Sequence, residues 1–134
     1  MAGRTRTARL ANVVLNCPDP RALADFYRGL LGWHYQKGQE SADPDGDAWL
    51  VLTPPDGGPN LAFQRDRTSI PNPWPEPGQP FLVHLDIDVD DLVAGHEHVT
   101  RLGARPLTGP PEPGAEQFRV YADPAGQVFC LCCQ

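Results

Sequence analysis

The sequence predicts an α+β fold: two tandem βαβββ modules forming a curved, incomplete barrel, with a cavity between the sheets and the helices outside. Three observations predict it. First, a strand, an acidic helix cap, a Leu-Gly stop and an Asp/Gly turn occur twice in the same order. Asn12 precedes Asp19 by seven residues as His84 precedes Asp91, and Leu31-Gly32 is answered by Leu102-Gly103. Second, each module of about 60 residues is too small to bury a comfortable core alone, so each must cover its sheet with its neighbour or a partner chain. Third, 13 glycines and 16 prolines, about a fifth of the 134 residues, favour turns and short elements over a helical bundle.

The elements follow in order. Leu10 to Cys17 is β-branched and apolar and stops at Pro18-Asp19-Pro20, a strand and then a turn. Asp19 suits a helix N-cap with Pro20 at the first helical position. Leu23, Phe26, Tyr27, Leu30 and Leu31 recur at helical spacing, and Gly32 ends the helix. A short strand at 33–36, a polar loop at 41–47, a strand at 48–53, a turn at 54–59 and a strand at 60–65 complete the first module. Residues 66–80 carry Pro71, Pro73, Pro75, Pro77 and Pro80 and form an extended crossing segment. Trp74 within it either staples the segment to a core surface or forms a pocket wall. The order then returns: strand 81–89, helix 90–102 ending at Gly103, short strand 105–108, strand 117–122, turn 123–126 and strand 127–133. The chain therefore divides into a single domain, 1–134, with a first module at 9–66, a Pro-rich linker at 67–79 and a second module at 80–134.

Composition excludes several functions. Acidic residues outnumber basic ones 17 to 11, a net charge of −6, which argues against binding a phosphate backbone. The excess lies mostly beyond residue 66 and includes Asp86, Asp88, Asp90 and Asp91. Asp88, Asp90 and Asp91 are most simply solvated and helix-capping. No apolar stretch approaches the roughly 20 residues that span a bilayer. Arg4, Arg6 and Arg9 have no apolar segment behind them, so no secretory signal is expected and a cytoplasmic location follows.

Three of the four cysteines, Cys130, Cys132 and Cys133, crowd into one strand, where alternation sends Cys130 and Cys132 to one face and Cys133 to the other. With Cys17 they read as small buried side chains of a reducing compartment, because no C-x-x-C pair and no second cluster is present. His34, His96 and His98 are expected at the surface. His84 reads equally as a strand histidine bonded to Asp86 or as a pocket acid, base or orienting donor.

The stretches Asn12-Val-Val-Leu-Asn-Cys-Pro-Asp19, Phe26 to Trp33, His84-Leu-Asp-Ile-Asp-Val-Asp-Asp91, Leu102-Gly103-Ala104 and Asp123 to Leu131 resemble the vicinal oxygen chelate superfamily. That superfamily holds glyoxalase I, extradiol dioxygenases, fosfomycin-modifying enzymes and bleomycin-resistance proteins. The likeness runs from Leu10 to Leu131 and is strongest to small bacterial glyoxalase-like proteins of undefined substrate. It implies metal positions at Asn12, Gln64, His84 and Cys130. Two amides, one imidazole and a thiol suit Mg²⁺, Mn²⁺ or Fe²⁺ poorly and Zn²⁺ only tolerably, so no cofactor is expected; Zn, Mn, Fe or Ni stays open, with Asp86 as a substitute acidic ligand. The expectation is a cavity that binds a small aromatic or polar molecule, lined by His84 and Asp86 with Trp33, Trp49, Phe63, Trp74, Phe118 and Tyr121 as candidates. The alternative is a divalent-metal-dependent lyase or dioxygenase. Open sheet edges and the resemblance both imply a homodimer.

Overall fold

The computed structural model describes residues 8–71, 83–114 and 118–133. The first module runs β1 (Asn12–Cys17), α1 (Pro20–Leu31), β2 (His34–Tyr35), β3 (Trp49–Thr53) and β4 (Asn60–Arg65). The second runs β5 (Leu85–Asp88), α2 (Leu92–Leu102), β6 (Arg105–Pro106), β7 (Arg119–Ala122) and β8 (Val128–Cys132). The strands form two four-stranded sheets of identical order, β1-β4-β3-β2 and β5-β8-β7-β6, and neither closes into a barrel. In each, the first strand pairs in parallel with the last, and the remaining pairs are antiparallel.

The repeated signals mark the helix ends. Asp19 accepts a hydrogen bond from the Ala22 amide and Asp91 from the Val93 amide, each satisfying an amide that the helix leaves without a partner. Gly32 and Gly103 close their helices in the left-handed region, at φ 72° and 114°. The second helix starts at Leu92, after its cap, rather than at residue 90. The short β6 pairs with β7 at Arg105 and Pro106, and beyond it the Leu107 amide still donates to the Val120 carbonyl. The strand expected over 81–89 pairs only from Leu85, and residues 81 and 82, like Trp74, lie outside the described residues.

One core serves both modules. Leu23, Phe26 and Tyr27 of α1 meet Leu50, Leu52, Leu61 and Phe63 of the first sheet and Tyr121, Phe129 and Leu131 of the second. The aromatic rings run continuously across the seam: Phe63 stacks on Tyr27, Phe26 and Tyr27 both reach Phe129, and Phe129 stacks on Tyr121. Such contacts add to the area that each ring buries. Among the described residues, no helix is long and apolar enough to cross a membrane.

Candidate functional site

Strand alternation divides each sheet into a helix face and an opposite face. On β1, Val13, Leu15 and Cys17 enter the core, so Asn12, Val14 and Asn16 face the other way. On β5, Leu85 and Ile87 pack on the core, leaving His84, Asp86 and Asp88 opposite. Because β1 and β5 are both edge strands, they supply the two sides of one cavity of about 430 Å³. Val14 and Asn16 line it from the first module, Val83 and His84 from the second, and Ser69 and Ile70 from the segment after β4. That segment is turned inward by Asp66, whose carboxylate accepts from the amide and hydroxyl of Thr68. These bonds hold the Asp66 carboxyl below its ordinary range.

A larger cleft of about 580 Å³ lies beside the N-terminus of α1, against Ser69, Pro71, Arg105 and Asp123. Its acidic groups are already engaged. Asp19 caps α1, and Asp123 accepts from Tyr27 Oη at 2.7 Å and from the amides of Ala125 and Gln127. The cavity between β1 and β5 is therefore the better candidate.

At its wall, His84 Nε2 lies 3.1 Å from Asp86 Oδ1. Asp86 pairs with Cys130 across the parallel ladder, so all three side chains share one face, and their donor atoms lie within 4.8 Å of one another. Cys130 is buried with Val120 and Val128, flanked by Leu107 and Cys132. Burial pushes its thiol up to about 11, and the Asp86 carboxylate adds to the shift.

The other expected site residues are distributed differently. Phe63 and Tyr121 belong to the core, because register puts both on the helix faces of their sheets. Trp33 is half-buried against that core. Trp49 pairs with Gln64 on the opposite face of the first sheet, where both are exposed. Phe118 is 61% exposed. None of these aromatic side chains lines the cavity. His96, expected at the surface, is half-buried with its Nδ1 2.8 Å from Tyr121 Oη, because the Tyr121 side chain reaches it from β7. Asn16 lies on the same face of β1 as Asn12, so strand alternation could have found it. Ser69 and Ile70 reach the cavity only through a turn that no pattern marks.

The metal positions implied by the superfamily do not make a hard-cation site. Asn12 Oδ1 already accepts from Asn60 Nδ2 at 3.1 Å. In the ladders, Val14 and Asn16 face Ala62 and Gln64, while Asp86 and Asp88 face Cys130 and Cys132. Gln64 thus corresponds to Cys132, and the counterpart of Cys130 is Ala62, which has no donor. A hard cation lacks the oxygen ligands it needs in this set.

A sequence profile of the glyoxalase-like domain matches residues 12–132. The anthracycline biosynthesis protein DnrV of Streptomyces peucetius is 29% identical over 126 residues, covering 87% of this chain; the chain spans 44% of that protein's length. A glyoxalase/dioxygenase from Nostoc punctiforme shares the fold at a TM-score of 0.66 and 20% identity, with 99% of each chain covered. A point mutant of the fosfomycin resistance protein FosX from Listeria monocytogenes, solved with Mn(II) and a dihydroxypropylphosphonic acid, has a TM-score of 0.65 at 13% identity, covering 97% of this chain and 94% of that one.

Proposed function

Since the chain belongs to the glyoxalase-like domain family of the vicinal oxygen chelate superfamily, we propose that it binds a small organic molecule in the cavity between β1 and β5. The observation that carries this reading is the lining itself: both modules contribute, apolar Val14, Ile70 and Val83 surround polar Asn16, Ser69 and His84, and the volume is of ligand size. An apolar wall with a few directional polar groups suits an aromatic molecule bearing oxygen substituents. The relative named for anthracycline biosynthesis supports that class. Binding of this kind needs no metal, and His84 acts as an orienting hydrogen-bond partner. The protein works in the cytoplasm as a homodimer, pairing through sheet edges that one chain leaves open.

The test uses a hydroxylated anthraquinone as probe, titrated into the full chain with melting temperature and tryptophan fluorescence as readouts. Saturable stabilisation that disappears in Val14→Trp, a variant that fills the cavity while keeping its own fold, is the expected result. Equal stabilisation of the wild type and Val14→Trp overturns the reading. A metal-dependent lyase or dioxygenase is the second reading, favoured by the Mn(II)-bound fosfomycin resistance protein of the same fold. It requires a different donor set from the one the superfamily positions provide here.

A further inference from the structure

We infer that the cavity between β1 and β5 selects a ligand carrying a protonated amine beside its ring system, and that Asp66 is the residue that pairs with that amine. The inference rests on the ligand-binding reading of the cavity and narrows it to one chemical class. Among the described residues that line the cavity, Asp66 is a carboxylate and none is lysine or arginine. Arg65 and Arg67 flank Asp66 in the chain, and neither reaches the lining. Asn16, Ser69 and Gln127 supply hydrogen bonds there but no full positive charge. The Tyr27 hydroxyl, at the same wall, already donates to Asp123. His84 stands 3.1 Å from Asp86 Oδ1, so a proton gained on its ring is offset by a neighbouring carboxylate. With Asp66 ionised, the wall is negative whether or not His84 holds that proton.

Asp66 is fixed in place by its own turn. Its amide donates to the Cys17 carbonyl at the end of β1, and its carbonyl accepts from the Ser69 amide. Its Oδ1 accepts from the Thr68 amide at 2.9 Å and from the Thr68 hydroxyl at 2.6 Å. Both bonds fall on Oδ1, which leaves the acceptor capacity of Oδ2 for a ligand. The same bonds hold the carboxyl below its ordinary range, so it is charged at neutral pH. An ammonium set against Val14, Ile70 and Val83 alone would lose hydration without a replacement, and Asp66 offers it a charge-assisted acceptor. A ligand carboxylate in the same position would meet a like charge and no cation. Attraction of the amine and rejection of the acid therefore come from one residue.

The experiment compares three anthraquinone probes that differ only in a short arm, aminoethyl, hydroxyethyl or carboxymethyl, each titrated into the full chain at neutral pH and low salt. The aminoethyl probe is expected to bind about fivefold or more tighter than the hydroxyethyl probe, and the carboxymethyl probe weakest. Asp66→Asn keeps an oxygen to accept the Thr68 bonds, so the turn survives; the preference for the amine disappears and the hydroxyethyl affinity stays. Asp90→Asn, which removes a charge outside this lining, retains the preference and so separates Asp66 from the overall charge of −6. Equal binding of the aminoethyl and hydroxyethyl probes, a preference that survives in Asp66→Asn, or one that is lost in Asp90→Asn overturns the inference and leaves the cavity reading standing. Binding of none of the three probes overturns both.

Discussion

The Tyr27 hydroxyl donates to Asp123 Oδ2 at 2.7 Å, joining the first helix to the turn before the last strand. Both residues are buried, and the partners stand 96 positions apart in the chain. The bond therefore ties one module to the other at the edge of their shared core. Removing the hydroxyl leaves a buried carboxyl supported only by backbone amides. Tyr27→Phe, which keeps the stacking on Phe63, is expected to lower stability by about 1–3 kcal/mol. Denaturant unfolding checks this, and a change below the resolution of the melt would show that the modules are held by ring packing alone.

The same carboxyl sets a pH dependence. Burial lifts Asp123 above its ordinary 3.8, against the opposing bonds from Tyr27 and the amides of Gln127, Ala125 and Gly126. Its folded pKa thus exceeds its unfolded one, and the folded chain takes up the proton first as pH falls. Asp123 therefore makes stability decline as pH rises from about 3.8 through the folded value, the reverse of an ion-paired carboxylate. The stability of the wild type relative to Asp123→Asn is expected to slope downward through that window. Tyr27→Phe should move the window to higher pH, because it removes one of the bonds that favour the charged form.

How much of this was legible in the sequence depends on distance along the chain. Asp19 and Asp91 could be read as caps, and Gly32 and Gly103 as stops, because each acts on a helix only a few residues away. His84 and Asp86 could be placed on one face, and Cys130 and Cys132 on another strand's common face, since alternation has a period of two; that Asp86 and Cys130 share a face needed the ladder register. The helix-face positions of Phe63 and Tyr121 required knowing which face of each strand is covered, and both aromatics were expected to line the cavity. The cavity itself was not legible in detail. Its wall forms where edge strands of the two modules come together with the Ser69–Ile70 turn, and nothing local to Ser69 or Ile70 announces that meeting. The contact between His96 and Tyr121 escaped for the same reason.

Arg21 gathers a loop that the sequence presents only as polar. Its guanidinium bonds both oxygens of Asp47, at 3.0 and 2.7 Å, and the carbonyls of Gln39 and Ser41, and it lies over the Tyr35 ring. The pairing holds the Asp47 carboxyl below its ordinary range, so the stabilisation it gives is present above about 3.8 and is lost as pH falls through the lowered value. A lysine cannot reproduce the planar fork. Arg21→Lys is expected to destabilise by about 1–3 kcal/mol at neutral pH, with the gap between variant and wild type narrowing in acid. A constant gap across the titration would assign Arg21 a packing role only.

Burial also governs the thiols. Cys17 and Cys130 are both pushed up to about 11, Cys17 chiefly by desolvation with Asp123 and Asp19 adding, so neither presents thiolate at neutral pH. In the native metal-free protein, brief iodoacetamide treatment is expected to leave both unmodified, whereas the denatured chain takes up four equivalents, one for each of its cysteines. Peptide mapping by mass spectrometry reads the pattern. Rapid native alkylation at Cys17 would mean that the α1 side of the first sheet opens far more readily than its packing implies.

Gly126 supports the turn that carries Asp123. Its φ of 84° lies in the left-handed region, and a Cβ built there would stand 2.4 Å from the Cβ of Pro71. Two independent penalties therefore apply to any side chain: roughly 1–2 kcal/mol for an L-residue in that backbone conformation, and a steric overlap that only movement of the 66–71 segment can relieve. Gly126→Ala is expected to lower the melting temperature and to displace Ser69 and Ile70, which share that segment, from the cavity between β1 and β5. Because the cavity depends on these two residues, the variant should also bind the anthraquinone probe more weakly than its stability loss alone explains. Hydrogen exchange across residues 66–71 separates the two effects: unchanged protection there, together with wild-type probe affinity, would show that the close approach of Gly126 to Pro71 does not position the cavity wall.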